Sequence, residues 1–479
     1  MTAPSGRVSR QQLVRLLGEW RASGSRQGSA GLAAGIRLLV LDGQLPPGTV
    51  LPAERELADA LGVSRTLVGA AWDLLRADGM IVSRRGSGSW TALPAAGDRG
   101  WHAPDQPLDL ARAAPEAVAG VANAMDAVRA RFAVELAGHG YHDYGIDVLR
   151  ERVAERYTAR GLPTDPREVL ITNGAHHALA LVLRSMTGPG DRVLVELPTY
   201  PNAIDAIKAA HAVPVPVPLV DDGWDLPGIE AALRQSAPRL AHFIIDFHNP
   251  TGRRLDAEGR SRLVAALRRA RTPVVVDETL VELDLDGDPL DGPAPLPAFG
   301  GGLVIAVGSA SKSHWGGLRL GWVRAPEEVI GRLAAARHAY DLGSPVFEQL
   351  VLAELFADQD AGLRARRAQI AERRNVLVAA VREYCPDWEF EVPAGGLSLW
   401  CRLPEPIGTR VAVTAQNHGV RVAPGSRFAA HGGLERWLRL PYTLPEPHLV
   451  EAVRRLAVVA ESVTGSPGVA GPSGDIPVA

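Results

Sequence analysis

Apolar positions along this chain change their period twice, and the changes mark its parts. In residues 7–22, Leu13, Leu16, Leu17 and Trp20 recur at i, i+3, i+4 and i+7, which predicts an amphipathic helix. A polar break at 23–28 follows, and a compact helical unit then runs to Leu93. From Leu108 to about Val463 short Val/Leu/Ile runs at 193–195, 243–245, 274–276 and 303–307 alternate with Ala/Leu/Arg-rich helical stretches. That alternation predicts an α/β body, a mostly parallel sheet wrapped by helices. The expected organisation is a helix and connector over 1–28, a small domain over 29–93, a linker over 94–107, a large domain over 108–463, and a disordered Gly/Pro/Ser-rich tail over 464–479.

Composition narrows the class. A 46% hydrophobic, 22% charged chain of 479 residues is ordinary globular material for two or three domains. Eleven arginines against seven acids leave the first 93 residues at +4 and the remainder at −7, within a total of −3. A basic head on an acidic body fits nucleic acid or, equally, a scattered solvated surface. Two cysteines, Cys385 and Cys401, are too few for a disulfide framework. Neither a signal-peptide core nor a membrane-length apolar span is evident, so a cytoplasmic protein is expected, with no metal site and no membrane partner.

In the head, Gly62 breaks one helix at a tight turn and Ser64 is a good N-cap for the next. Leu67, Ala71, Leu74 and Leu75 are expected to face inward along that second helix. Helix, glycine turn and capped helix is helix-turn-helix grammar, with Arg65 and Thr66 at the end that enters a DNA groove. Residues 81–90 predict a two-strand wing whose tip carries arginines and glycines. The helices alone would equally suit a generic small helical domain. The motifs Leu51-Pro52-Ala53-Glu54-Arg55-Glu56-Leu57-Ala58, Val63-Ser64-Arg65-Thr66 and Arg85-Gly86-Ser87-Gly88 resemble the winged helix-turn-helix of GntR regulators over residues 29–92. That resemblance puts Arg55, Ser64, Arg65 and Thr66 at double-stranded DNA, with Arg85 and Gly86 at the wing. Ala53 departs from the family's capping serine, at a cost of roughly 1 kcal/mol of local stability.

The body's chemistry starts from lysine. Of 51 Lys and Arg residues only Lys208 and Lys312 are lysine, and Lys312 follows the apolar run at 303–307. A guanidinium cannot form an imine, whereas a buried lysine amine loses its proton readily. Against the bland reading of a surface loop lysine, Lys312 is read as the Schiff-base residue for pyridoxal 5′-phosphate. That cofactor needs a phosphate cradle, an acid for its ring nitrogen and an aromatic face. Gly174, Ala175 and His176 open a helix and offer amides to the phosphate. Ser309 and Arg319 add a hydroxyl and a guanidinium. Tyr200 could stack on the ring, Asn249 reach its phenolic oxygen, and Asp277 pair with its nitrogen. Each alone is an ordinary strand-end residue, and Tyr200 could equally be structural.

Together, Tyr200, Asn249-Pro250-Thr251-Gly252, Asp277, Ser309-x-x-Lys312 and Arg319 resemble fold-type I, aspartate-aminotransferase-like enzymes over residues 108–463. The resemblance implies large and small domains around a mostly parallel sheet, with an internal aldimine at Lys312. It also turns Arg439, by itself a surface arginine on a strand, into a ligand for a substrate α-carboxylate. A GntR-like head on such a body resembles the MocR family of transcriptional regulators. In that family the body senses pyridoxal phosphate or an amino compound, and a head-to-tail homodimer places two heads on DNA half-sites. One departure stands out, because Thr279 and Leu280 occupy the positions where a tyrosine is usual. Cofactor binding survives their presence, while efficient transamination is brought into doubt.

The leading expectation is a pyridoxal-phosphate-responsive, DNA-binding transcriptional regulator, with an active aminotransferase carrying a DNA-binding head as the alternative. A regulator with a cofactor-free body is the third, and weakest, reading.

Overall fold

The computed structural model describes residues 6–17, 28–41, 45, 48–77, 80–84, 88–92, 107–221, 223–357 and 361–464. Trp20, Arg85, Gly86, the expected linker up to residue 106 and the tail beyond Thr464 lie outside the described residues. The chain divides into two compact units, one reaching to Gln106 and the other spanning Pro107–Val463.

The first unit runs β1 (Gly6–Arg7), α1 (Arg10–Leu17), α2 (Gly28–Leu41), β2 (Thr49–Val50), α3 (Glu54–Leu61), α4 (Arg65–Ala77), β3 (Ile81–Arg84) and β4 (Gly88–Thr91). Its small sheet has the order β1-β2-β4-β3, and the antiparallel β3–β4 hairpin is the expected wing. The helix expected over 7–22 begins only at Arg10, because Gly6 and Arg7 pair with Thr49 and Val50 as a strand. Leu13 and Leu17 enter the same core as Leu32, Ile36, Leu57, Val68 and Trp72. The inward stripe of α4 differs from the expected one. Val68, Ala71, Trp72 and Leu75 are buried, while Leu74 is 42% exposed. The Trp72 indole claims the core, and Leu74 lies about 200° round the helix from it.

The second unit opens with β5 (Leu108–Leu110), α5 (Val121–Glu135), α6 (Asp147–Ala159), β6 (Val169–Thr172), α7 (Ala175–Met186), β7 (Arg192–Leu197) and α8 (Pro201–Ala209). It continues through β8 (Val213–Val220), β9 (Gly223–Trp224), α9 (Leu226–Ser236), β10 (Leu240–Phe243), α10 (Ala257–Ala270), β11 (Val274–Asp277), β12 (Val304–Ser309), β13 (Gly321–Arg324) and α11 (Glu327–Arg337). The C-terminal part adds α12 (Val346–Ala357), α13 (Ala361–Tyr384), β14 (Ser398–Arg402), α14 (Gly408–Gln416), β15 (Val420–Pro424), β16 (Trp437–Pro441) and α15 (Glu446–Thr464).

The large sheet has the order β6-β13-β12-β11-β10-β7-β8-β9. Its strands are parallel apart from β13 and the edge strand β9. Both faces of the central strands are apolar because both are covered. Leu194, Ala241, Val274, Val276 and Ala306 pack on one side, Val193, Val195, Leu240, Val275 and Ile305 on the other. The strand expected at 243–245 sits earlier, at Leu240–Phe243. There Ile244 gives its N–H to the buried Glu196 carboxylate, at 3.0 and 3.1 Å, instead of continuing the ladder. A second sheet, β14-β16-β15-β5, forms the smaller lobe, and β5 joins it in parallel with β15. Ala111 and Ala113, which follow β5, accept hydrogen bonds from Arg439 and Lys312.

Candidate functional site

Each unit carries a site. In the first, Gly62 takes a left-handed turn (φ 63°) that ends α3, and the Val63 N–H returns to Ala58 O at 3.0 Å. Ser64 Oγ accepts the Leu67 N–H at 3.2 Å and so caps α4. Ala53 has no side chain to cap α3, and the Glu56 carboxylate supplies half a capping box by accepting the Ala53 N–H at 3.4 Å. The first turns of the two helices meet, with Arg65 Nε 3.6 Å from Glu54 Oε2. Arg55, Ser64, Arg65 and Thr66 are all exposed at this end. Helix N-terminal amides beside exposed guanidinium groups suit a phosphate backbone.

In the second unit, Gly174, Ala175, His176, Tyr200, Asn249, Asp277, Ser309, Lys312 and Arg319 all line one cavity of about 230 Å³. The carboxyl ends of β6, β7, β10, β11 and β12 deliver them, the edge at which open α/β sheets hold ligands. Lys312 lies in a π-helical turn after β12, and its Nζ donates to Ala113 O at 2.8 Å. The loop-lysine reading is thereby overturned, since the amine is turned inward. Its pKa is pushed down to about 8, first by burial and then by the Arg439 charge, with Asp277 opposing and Arg319 adding to the fall.

The anion end of the cavity is built around Gly174, which caps α7 at φ 92°, a conformation favouring glycine. A Cβ there would stand 3.2 Å from Arg319 Nη2, so the glycine also lets the guanidinium approach the helix N-terminus. Arg319 is itself left-handed (φ 55°) and donates to Asn173 O at 3.3 Å. Ser309 Oγ lies 2.9 Å from Ser311 Oγ and accepts the Ser311 N–H at 3.1 Å. Burial and then the Arg319 charge push the His176 imidazole below its ordinary pKa, with Asp205 and Asp277 opposing. At the far end, Asp277 Oδ1 accepts the Thr279 N–H at 2.8 Å. Tyr200 accepts from Asn202 Nδ2 at 2.9 Å, and burial followed by the Asp277 charge pushes its phenol up to about 12.

Arg439 is fully buried on β16, against the expectation of a surface arginine from the residues alone. Its Nη1 donates to Asn249 Oδ1 at 3.3 Å, its Nη2 donates to Ala111 O, and its guanidinium lies 5.2 Å from the Phe428 ring centroid. Nε is buried with no hydrogen-bond partner among the described residues, and neither of these Nη hydrogen bonds goes to a carboxylate. Burial pushes its pKa down to about 10, opposed by Tyr200 and Asp109. Pyridoxal 5′-phosphate fits this donor set. Amides, two hydroxyls and Arg319 suit its phosphate, Asp277 its ring nitrogen, Tyr200 its face and Lys312 its aldehyde. Thr279 Oγ1, at the wall and buried without a hydrogen-bond partner among the described residues, and the apolar Leu280 stand where a phenol is usual.

Sequence reasoning missed three contributors. Ser311 carried a signal in its place between Ser309 and Lys312, whereas Ala113 and Asn173 carried none. Among the described residues no three His, Cys, Asp or Glu gather to hold a metal, and no helix is long and apolar enough to cross a membrane.

A family model described as aminotransferase class I and II matches residues 113–456, and one described as bacterial regulatory proteins, gntR family, matches residues 29–90. The 2-aminoadipate transaminase of Thermus thermophilus is 33% identical over 65% of this chain and 79% of its own. The probable rhizopine catabolism regulatory protein MocR of Rhizobium meliloti is 29% identical over 86% of this chain and 89% of its own. Among solved structures, the α-aminoadipate aminotransferase LysN from Thermus thermophilus, complexed with N-(5′-phosphopyridoxyl)-L-leucine, superposes with a TM-score of 0.69. It is 29% identical and covers 75% of this chain and 93% of its own. The regulator's match extends through head and body, and the transaminase's is confined to about the length of the body.

Proposed function

The chain belongs to the class I and II aminotransferase family and carries a gntR-type regulatory head, and from that premise we propose how its two sites work together. It is a transcriptional regulator with pyridoxal 5′-phosphate as its cofactor. The observation that carries the proposed mechanism is the pairing of a neutralisable Lys312 with a buried Arg439 whose Nε is unpartnered, and whose Nη groups reach an amide and a backbone carbonyl, among the described residues. A buried cation with an unsatisfied N–H is costly unless an anion joins it. Arg439 therefore captures the carboxylate of a small amino compound, with Asn249 holding the guanidinium in line. The Thermus relative's complex with a phosphopyridoxyl amino acid supports that class of ligand.

When bound, the cofactor supplies an electrophilic aldehyde that can be held covalently or passed between amines. Lys312 offers the nucleophilic amine, and Ala113 O orients it. Asp277 keeps a proton on the ring nitrogen, while Gly174, Ala175, His176, Ser309 and Arg319 hold the phosphate. In the head, Arg55, Ser64, Arg65 and Thr66, with Arg85 and Gly86 at the wing, meet double-stranded DNA. Effector and DNA bind separate sites, so the response is a linkage. It reaches only as far as the effector distinguishes the two conformational states of the protein. A head-to-tail homodimer acting in the cytoplasm would present two heads to an operator.

Binding of the purified protein to DNA from its own upstream region, with and without pyridoxal 5′-phosphate, tests the reading. Sequence-selective binding should change with cofactor in the wild type and not in Lys312→Ala. A response retained by Lys312→Ala would refute the covalent route. The complete lysine, aspartate and arginine set also supports a second reading, turnover of amino acids. Leu280 in place of a phenol weighs against it, and steady conversion of any amino acid and 2-oxo acid pair would favour it.

A further inference from the structure

The turn that carries the anion cradle is clamped from a loop far away in sequence. Asn173 lies between the end of β6 and Gly174, and three of its four polar groups reach in three directions, while Oδ1 is buried with no hydrogen-bond partner among the described residues. Its backbone carbonyl accepts Arg319 Nη2, its N–H donates to His177 Nδ1 at 3.1 Å, and its Nδ2 donates to Asp341 Oδ2 at 3.1 Å. Because His177 Nδ1 accepts, the neutral ring carries its proton on Nε2, which lies 3.1 Å from the same Asp341 oxygen but makes no hydrogen bond among the described residues. Burial keeps that imidazole neutral, with Asp341 opposing and Arg337 assisting.

Asp341 is itself fixed. Its Oδ1 accepts the Gly343 N–H at 3.0 Å and a bond from Arg337 Nε. Arg337 is fully buried and forks to Ile171 O at 2.7 Å and Ser344 Oγ at 3.0 Å. The loop after α11 is thus tied through one guanidinium to the end of β6, and through one carboxylate to the turn that follows. Neither Asp341 nor Arg337 lines the cavity.

We propose that Asp341 is a positioning residue for the phosphate end of the cofactor, acting through its hydrogen bond from Asn173. By fixing Asn173 it sets the carbonyl that orients Arg319 and the direction of the amides that follow Gly174. The aldehyde end, built on Lys312 and Ala113, does not depend on it. The inference rests on the cofactor placement given under Proposed function. It differs from a merely structural role in being selective, because only ligands that carry the phosphate should notice the loss.

The test compares equilibrium uptake of pyridoxal 5′-phosphate and of pyridoxal, which lacks the phosphate, by the full-length apoprotein. Asn173→Ala cuts the link and leaves the Arg337–Asp341 pair whole, so it is the first variant. Asp341→Asn, which leaves an acceptor for Arg337, is the second. Each should weaken pyridoxal 5′-phosphate binding about tenfold, the worth of one charge-assisted hydrogen bond, and leave pyridoxal uptake within about twofold of wild type. Equal losses for both ligands, or no loss for either, would overturn the positioning role. Wild-type protein that takes up pyridoxal 5′-phosphate no better than pyridoxal would instead overturn the placement of the phosphate, and the inference with it.

Discussion

The chain's shortage of lysine allows one prediction to be read out almost residue by residue. With a pKa of about 8, close to a quarter of the Lys312 amine is neutral at pH 7.5, against roughly one part in a thousand for an ordinary lysine. Its nucleophilicity should therefore exceed that of a solvated lysine by about two hundredfold, before steric access is counted. The assay is competitive labelling of the apoprotein with a small acylating reagent between pH 6.5 and 10.5, quantified by peptide mass spectrometry. Lys208, the chain's other lysine, serves as the internal reference. The Lys312 curve should turn near pH 8. Arg439→Gln removes a positive neighbour and should move the inflection upward, while Asp277→Asn removes the opposing negative one and should move it downward. The same shift has a stability consequence. A lysine whose pKa falls on folding opposes the fold when charged, so its cost is absent above pH 10.4. That cost grows as pH falls toward 8 and stays level, at about 3 kcal/mol, below it. An inflection near pH 10 in the wild type would refute the reasoning, since burial and the two arginines would then not be acting on the amine.

Other expectations follow from single contacts. Ala53→Ser should restore the missing side-chain cap of α3 and stabilise the head by about 1 kcal/mol, measured by denaturant unfolding of the full chain followed through Trp72 and Trp90. No change in the head's transition would mean that the Glu56 half-box already suffices. Arg65→Ala should weaken operator binding by about 1–3 kcal/mol if the guanidinium reads a base. If it contacts only phosphate, the loss should instead be uniform across DNA sequences, with a shallower salt dependence. Leu280→Tyr introduces a phenol at the cavity wall and should raise the rate of any transamination half-reaction above that of the wild type, read from absorbance changes on mixing with amino acids. An unchanged rate would locate the obstacle to turnover elsewhere.

Much of the site was legible because its chemistry is local. Gly62 and Ser64 act on the helix ends beside them, and Gly174 acts on the helix it caps. The strand-end residues Asn249, Asp277 and Ser309 follow apolar runs whose two-sided burial can be read from composition. Lysine in an arginine-rich chain singled out Lys312 as the candidate for an imine, because no guanidinium can form one. The sequence also carried the head's hairpin, in the run of arginine, glycine and serine between Ile81-Val82 and Trp90.

Other features depend on parts of the chain far apart in sequence. Lys312 finds its acceptor at Ala113, 199 residues away, and only the joining of β5 to the smaller lobe brings the two segments together. The turn of α4 was settled by where Trp72 could find room, and the end of β10 by the buried Glu196 carboxylate. Nothing around Arg439 in the sequence says that it is buried with its Nε unpartnered among the described residues, and nothing marks Asp341 at all. Backbone period and turn chemistry act between neighbours and are therefore written in the sequence. Desolvation, pKa and the choice of hydrogen-bond partner act through space, and only the folded chain decides which distant groups share it.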